Sequence, residues 1–136
     1  MYGKIWYDVD YLRRVVERLH VELQRLNVHV VAVSGTSGLV PAAALSAAYG
    51  IQVVYSRKYK ENSHGSEVEG AHYLRESPYV IIDDFISSGA TIKRIIGNLE
   101  VTQLDRYKKP VAIILYSPVS HEAEFEGIPI INLEVR

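Results

Sequence analysis

The chain has 136 residues, 48% hydrophobic and 23% charged, the balance of one ordinary globular domain with a single real core. Its net charge of -1 excludes a bulk field that would recruit nucleic acid or an acidic membrane. The absence of cysteine excludes disulfides, thiolate zinc sites and cysteine nucleophiles, and fits a reducing, cytoplasmic setting.

Residues 1–8 lack the apolar core of a signal peptide, and no apolar run approaches the ~18 residues of a membrane span, so neither secretion nor membrane insertion is expected. No repeat, low-complexity tract or linker divides the sequence, and residues 1–136 read as one domain. Leu12, Val15, Val16, Leu19, Leu23 and Leu26 recur at helical spacing, with Asp8 or Asp10 as N-cap and Asn27 as terminator. Residues 28–33 form a β-branched strand, and Ser34-Gly35-Thr36-Ser37-Gly38 a tight loop. An alanine-rich helix is predicted from Pro41 to Tyr49, stopped by Gly50. Strands follow at 51–55, 79–83, 111–116 and 128–133. Residues 57–70 are polar, charged and glycine-containing, and read as a long mobile loop. A helix over 90–104 carries Ile92, Ile95, Ile96 and Leu99 on one face.

Continuous apolar strands with helices between several of them predict an α/β fold, a single-domain five-stranded parallel sheet flanked by helices in a Rossmann-like arrangement. Such sheets bind ligands beyond the carboxyl ends of their strands. The loops at 34–38 and 84–90 both follow strands, so they are expected to open on one edge.

The richest segment is Tyr-Val-Ile-Ile-Asp-Asp-Phe-Ile-Ser-Ser-Gly-Ala-Thr at 79–91. Its hydroxyls and peptide N–H groups, where a helix begins, suit a phosphate monoester. Asp83 and Asp84 stand where they can hold sugar hydroxyls or a hydrated divalent cation. Adjacent strand residues point to opposite faces, so both meet one ligand only if the chain turns there. The plainer alternative is that one aspartate caps the helix and the other is a solvated strand end. In the first loop two glycines let peptide N–H groups converge on an anion, but neither a Walker loop nor a dinucleotide fingerprint is present. Arg57, Lys58, Lys60 and His64 place three cations and a histidine within eight residues. That run reads either as a solvated surface loop or as a lid over a polyanionic leaving group. His20, His29 and His72 read as structural or exposed, and His121 with Glu122, Glu124 and Glu126 as a polar turn.

In this order the three segments resemble the type I phosphoribosyltransferases, most closely orotate phosphoribosyltransferase. Residues 79–91 resemble the family's PRPP-binding motif, 34–45 its pyrophosphate loop and helix, and 57–70 its catalytic flexible loop. The resemblance implies displacement of pyrophosphate from the anomeric carbon of PRPP by a nucleobase, an orotate-like pyrimidine or a purine. It implies that Ser87, Ser88, Gly89, Ala90 and Thr91 hold the 5′-phosphate. Ser34, Gly35, Thr36, Ser37 and Gly38, with Arg57 and Lys58, would hold pyrophosphate. Asp83, Asp84, Lys60 and His64 would be catalytic. Mg²⁺ is implied through PRPP oxygens and waters, with Asp83 or Asp84 as its neighbouring carboxylate, and a homodimer is implied as partner state. The chain departs from the orotate enzymes in its truncated hood, with only about 27 residues before the first strand. It also has no lysine or arginine between Pro110 and Val135. The rival expectation is a non-catalytic PRPP- or nucleotide-binding regulator on the same fold. A weaker one is an interaction protein that keeps the fold alone.

Overall fold

The computed structural model describes residues 8–57, 68–74 and 77–135. The first helix, α1 (Val9–Leu26), begins where the Asp8 carboxylate accepts the Tyr11 N–H, and it ends at Asn27 in the left-handed conformation. It buries Tyr11, Val15, Val16, Leu19 and Leu23; Leu12 and Leu26 of the expected stripe are half-buried, and Tyr11 is added to it.

Strand β1 (Val30–Val33) leads to α2 (Thr36–Tyr49) and then to β2 (Gln52–Ser56). The helix starts five residues before the expected Pro41, so the first loop is shorter than the sequence suggested and Thr36 to Gly38 already belong to α2. Proline lacks the N–H that would bond the carbonyl four residues back, which argues for a helix start at Pro41. Here that carbonyl, on Ser37, instead accepts the Tyr116 hydroxyl at 2.7 Å. The helix therefore tolerates an internal proline.

A short strand β3 (Val68–Glu69) and a 3₁₀ turn at Ala71–Leu74 lie within and just after the stretch expected to be one long loop. The remaining elements are β4 (Val80–Asp83), α3 (Ala90–Gln103), β5 (Ala112–Leu115), β6 (Glu124–Phe125) and β7 (Ile128–Asn132).

The sheet has seven strands in the order β3-β2-β1-β4-β5-β7-β6, rather than five. The strands expected are its central five, and β2, β1, β4, β5 and β7 run parallel. The additional strands, β3 and β6, are two-residue antiparallel margins too short to show a periodicity. Alternation along the parallel strands splits the core in two. Val31, Val33, Val80, Ile82 and Ile114 pack under α1 and α2. Ala32, Ile81, Ile113 and Leu115 pack under α3 through Ile92, Ile95 and Leu99. Each fully buried aliphatic side chain contributes about 2 kcal/mol, so neither face is dispensable. After β2 and its marginal partner β3 the chain crosses to the other side of β1, which makes β1/β4 the switch point of strand order.

Candidate active site

The switch point opens into a cleft of about 210 Å³, lined by 34–37, 83–92 and Arg94. The two special turns thus face one space, as expected from the sheet. Gly35 has φ 74° and ψ 175°, a combination essentially confined to glycine, and it delivers the chain from β1 directly into α2. No side chain caps that helix, so peptide N–H groups of its first turn remain available at the cleft. Gly89, at φ 82° and ψ 3°, makes the corresponding turn into α3. The Phe125 ring from β6 lies over it, and a Cβ at Gly89 would sit 2.6 Å from Phe125 Cε2.

Asp83 and Asp84 both reach the cleft because β4 ends between them. The Asp84 N–H donates to Asp83 Oδ1 at 2.9 Å, and the Phe85 N–H donates to Asp84 Oδ1 at 2.8 Å. The continuation of β5 braces the turn, with Tyr116 N–H donating to the Asp83 carbonyl at 3.2 Å and Ser117 N–H to the Asp84 carbonyl at 2.9 Å. Asp83 is only 7% exposed. Burial first, and then the charge of Asp84, push its carboxyl up to about 8, while Arg94 acts weakly in the opposite direction. The buried Tyr116 hydroxyl is raised by desolvation and by both carboxylates, and Tyr11 by desolvation with Asp84 as a further cause.

Among the expected phosphate residues, Ser87 to Thr91 and Ser34 to Ser37 line the cleft. Gly38 does not. It is buried against the sheet, where a Cβ would meet the Ile82 carbonyl oxygen and Val33 Cβ, both at 2.9 Å. Arg57 pairs with Glu69 and lies outside the cleft lining. Lys58, Lys60 and His64 lie outside the described residues. His20 stacks on Tyr49 at 3.6 Å, and His121 bonds Glu134 at 2.7 Å. His72 lies beside Tyr73, with ring centroids 4.1 Å apart.

Three contributors were not singled out in the sequence. Arg94 reaches from the second turn of α3 to Ser34, its Nη2 donating to Ser34 Oγ at 3.1 Å. Asn98, four residues on, donates to Ser56 Oγ at 2.8 Å and to the Arg57 carbonyl at 3.3 Å. Tyr116 fixes the Ser37 carbonyl. The available signal was α3's phase: positions 94 and 98 share a stripe beside the buried face of Ile92, Ile95 and Leu99.

Among the described residues no three histidine or acidic side chains converge as a metal cage. Two carboxylates beside a turn of peptide N–H and hydroxyl donors nonetheless suit Mg²⁺, which takes one or two carboxylates and completes its shell with ligand phosphates and water. A cation held beside Asp83 and Asp84 would offset the repulsion that raises the Asp83 carboxyl. No described helix is long and apolar enough to cross a membrane.

Residues 9–104 match the sequence profile of the phosphoribosyl transferase domain. No curated protein sequence matches the chain. Similar solved structures include adenine phosphoribosyltransferase from Thermoanaerobacter pseudethanolicus, at 19% identity and TM-score 0.71 over 95% of this chain and 83% of that one. Purine phosphoribosyltransferase from Pyrococcus horikoshii gives 18% identity and TM-score 0.60, over 92% of this chain and 84% of that one. Orotate phosphoribosyltransferase from Aeropyrum pernix gives 22% identity and TM-score 0.62, over 90% of this chain and 67% of that one. At these identities the likeness concerns the fold, and it extends to purine and pyrimidine enzymes alike.

Proposed function

This chain belongs to the phosphoribosyl transferase domain family, and from that premise we propose that it transfers the 5-phosphoribosyl group of PRPP to a nucleobase and releases pyrophosphate. The observation that carries the reading is the convergence of two strand-to-helix turns on one cleft, with Asp83 and Asp84 at the start of the second. A sugar with phosphoryl groups at both ends needs two anion cradles near an acidic strip, and the meeting of both turns and both aspartates at one cleft supports that reading.

In the proposed reaction a base nitrogen forms a bond to the anomeric carbon as the carbon–oxygen bond to pyrophosphate breaks. The bonding pair leaves with pyrophosphate, and the base nitrogen loses its proton. Ser87 to Thr91 hold the 5′-phosphate by N–H and hydroxyl donors. The first turn of α2 receives pyrophosphate. Positive charge develops on the ribose as pyrophosphate departs, and the acidic pair Asp83 and Asp84 lies where it can favour that charge, Asp83 doing so fully only where its raised carboxyl has lost its proton. A preorganised contact of this kind is worth roughly 3 kcal/mol in the transition state. Mg²⁺, held beside Asp83 and Asp84 with PRPP oxygens, would neutralise charge gathering on the leaving group. No protein nucleophile is required.

Pyrophosphate release from PRPP and Mg²⁺ tests the reading, with adenine, guanine, hypoxanthine, orotate and uracil as acceptors. Turnover with one of these supports the transferase and names its base. PRPP binding without turnover on any base identifies the regulatory protein instead, and no binding at all overturns both. A homodimer and a cytoplasmic setting belong to the same proposal. Light scattering on the purified chain and imaging of a tagged copy check them.

A further inference from the structure

We infer that Arg94 is a cation of the pyrophosphate subsite, supplied across the cleft by α3 to a first turn that has none of its own. The inference rests on the phosphoribosyl transfer reading above. Residues 34–40 contain no lysine, arginine or histidine, and the first turn of α2 offers only peptide N–H groups and hydroxyls. Pyrophosphate carries several negative charges, and here it would lie beside the carboxylates of Asp83 and Asp84 in the same small cleft. Helix N-terminal partial charge is about half a unit and does not offset that repulsion. Arg94 is the one cationic side chain among the cleft's described lining.

Its geometry points toward the first turn rather than toward its own helix start. Nη2 donates to Ser34 Oγ at 3.1 Å, at the carboxyl end of β1. The Nε–H is buried and meets no acceptor among the described residues. None of the ion pairs there involves Arg94 either. A guanidinium has five donors in a planar fork suited to two oxygens of a phosphoryl group. A desolvated guanidinium N–H without an acceptor is unfavourable, and an arriving anion relieves it. Arg94 is therefore poised on the β1 side of the cleft, where the leaving group would sit, while the 5′-phosphate turn at 87–91 is served by the N-terminus of α3 itself.

The test uses two probes on the whole chain, inorganic pyrophosphate and ribose 5-phosphate, each titrated calorimetrically into wild type, Arg94→Met and Arg94→Lys. Arg94→Met keeps the apolar stem and removes the charge. Pyrophosphate affinity is expected to fall about tenfold to a hundredfold, the usual weight of a charge-assisted contact, while ribose 5-phosphate affinity stays within about twofold. Arg94→Lys recovers part of the loss, because charge returns without the fork. Unchanged pyrophosphate affinity overturns the inference, as does an equal loss for both probes. Should Arg94→Met fail to fold, Arg94→Lys carries the test: full affinity for both probes with lost donor geometry, or equal loss of both, overturns the assignment. A wild-type chain that binds neither probe overturns the transfer reading itself, an outcome separate from binding that ignores Arg94.

Discussion

The turns after β1 and β4 follow one plan and are stiffened by different means. Each leaves a parallel strand, passes a glycine with positive φ, and enters a helix whose first turn faces the cleft. The first turn is short and locked by packing. Gly38 sits against the Ile82 carbonyl, and Tyr116 holds the Ser37 carbonyl that Pro41 leaves free. The second turn is longer, begins with two carboxylates, and is covered at Gly89 by the Phe125 ring. An uncharged cradle can be rigid without an electrostatic cost, so sterics suffice to shape it. A turn that concentrates negative charge needs braces that tolerate it, which here are peptide donors from the following residues and from the extension of β5.

This contrast can be broken most sharply at Asp84. Asp84→Asn keeps the side-chain oxygen that accepts the Phe85 N–H and removes the charge. Turnover is expected to fall about 100-fold with an unchanged melting profile. Unaltered kinetics would remove the acidic strip from the mechanism. Next comes Gly38→Ala. Alanine normally favours a helix over glycine, but here its methyl meets a backbone oxygen and a β-branched carbon at 2.9 Å, neither of which can swing away. A loss of about 2 kcal/mol is expected, read as a melting point several degrees lower. A stabilised variant would show that the first turn is not closed by packing.

Asp83 supplies a pH test of the second turn. Its carboxyl is raised to about 8 in the folded chain and lies near ~4 when unfolded. The folded state therefore binds the proton more tightly. Stability is undiminished below about 4, falls as pH climbs through the interval, and levels off above about 8. Asp83→Asn removes that slope, so its melting point should gain on wild type steadily from pH 5 to pH 8. A constant difference would mean that the carboxyl is not desolvated. The smallest effect belongs to Tyr116→Phe, which leaves the Ser37 carbonyl unpaired and should cost about 1 kcal/mol. Unchanged stability would mean that another donor reaches that carbonyl.

The parallel strands and α1 were legible because their signals are strong. The strands are β-branched runs, and the helix has a six-residue apolar stripe with a capping aspartate and a terminating asparagine. The location of the cleft followed from where the two turns fall in chain order. The start of α2 did not follow, because a proline rule outweighed a helix that finds a remote partner for the orphaned carbonyl. Arg94 and Asn98 were also hidden. Polar residues on a helix look solvated in sequence, and only the neighbouring strand ends reveal that they have partners. The marginal strands β3 and β6 span two residues each and take their conformation from pairing alone.

Arg94 and Asn98 stand four positions apart and so share one stripe of α3, yet they grip different strands. Val33 and Tyr55 are register partners, which makes Ser34 and Ser56 the next pair along β1 and β2. One helix is thereby indexed to two neighbouring strand ends at once. Adding or removing a single residue between Arg94 and Asn98 would rotate one grip by about 100° relative to the other, and only one of the two serines could then be engaged. The spacing inside α3 is a molecular gauge: it sets at once where the helix meets β1 and where it meets β2.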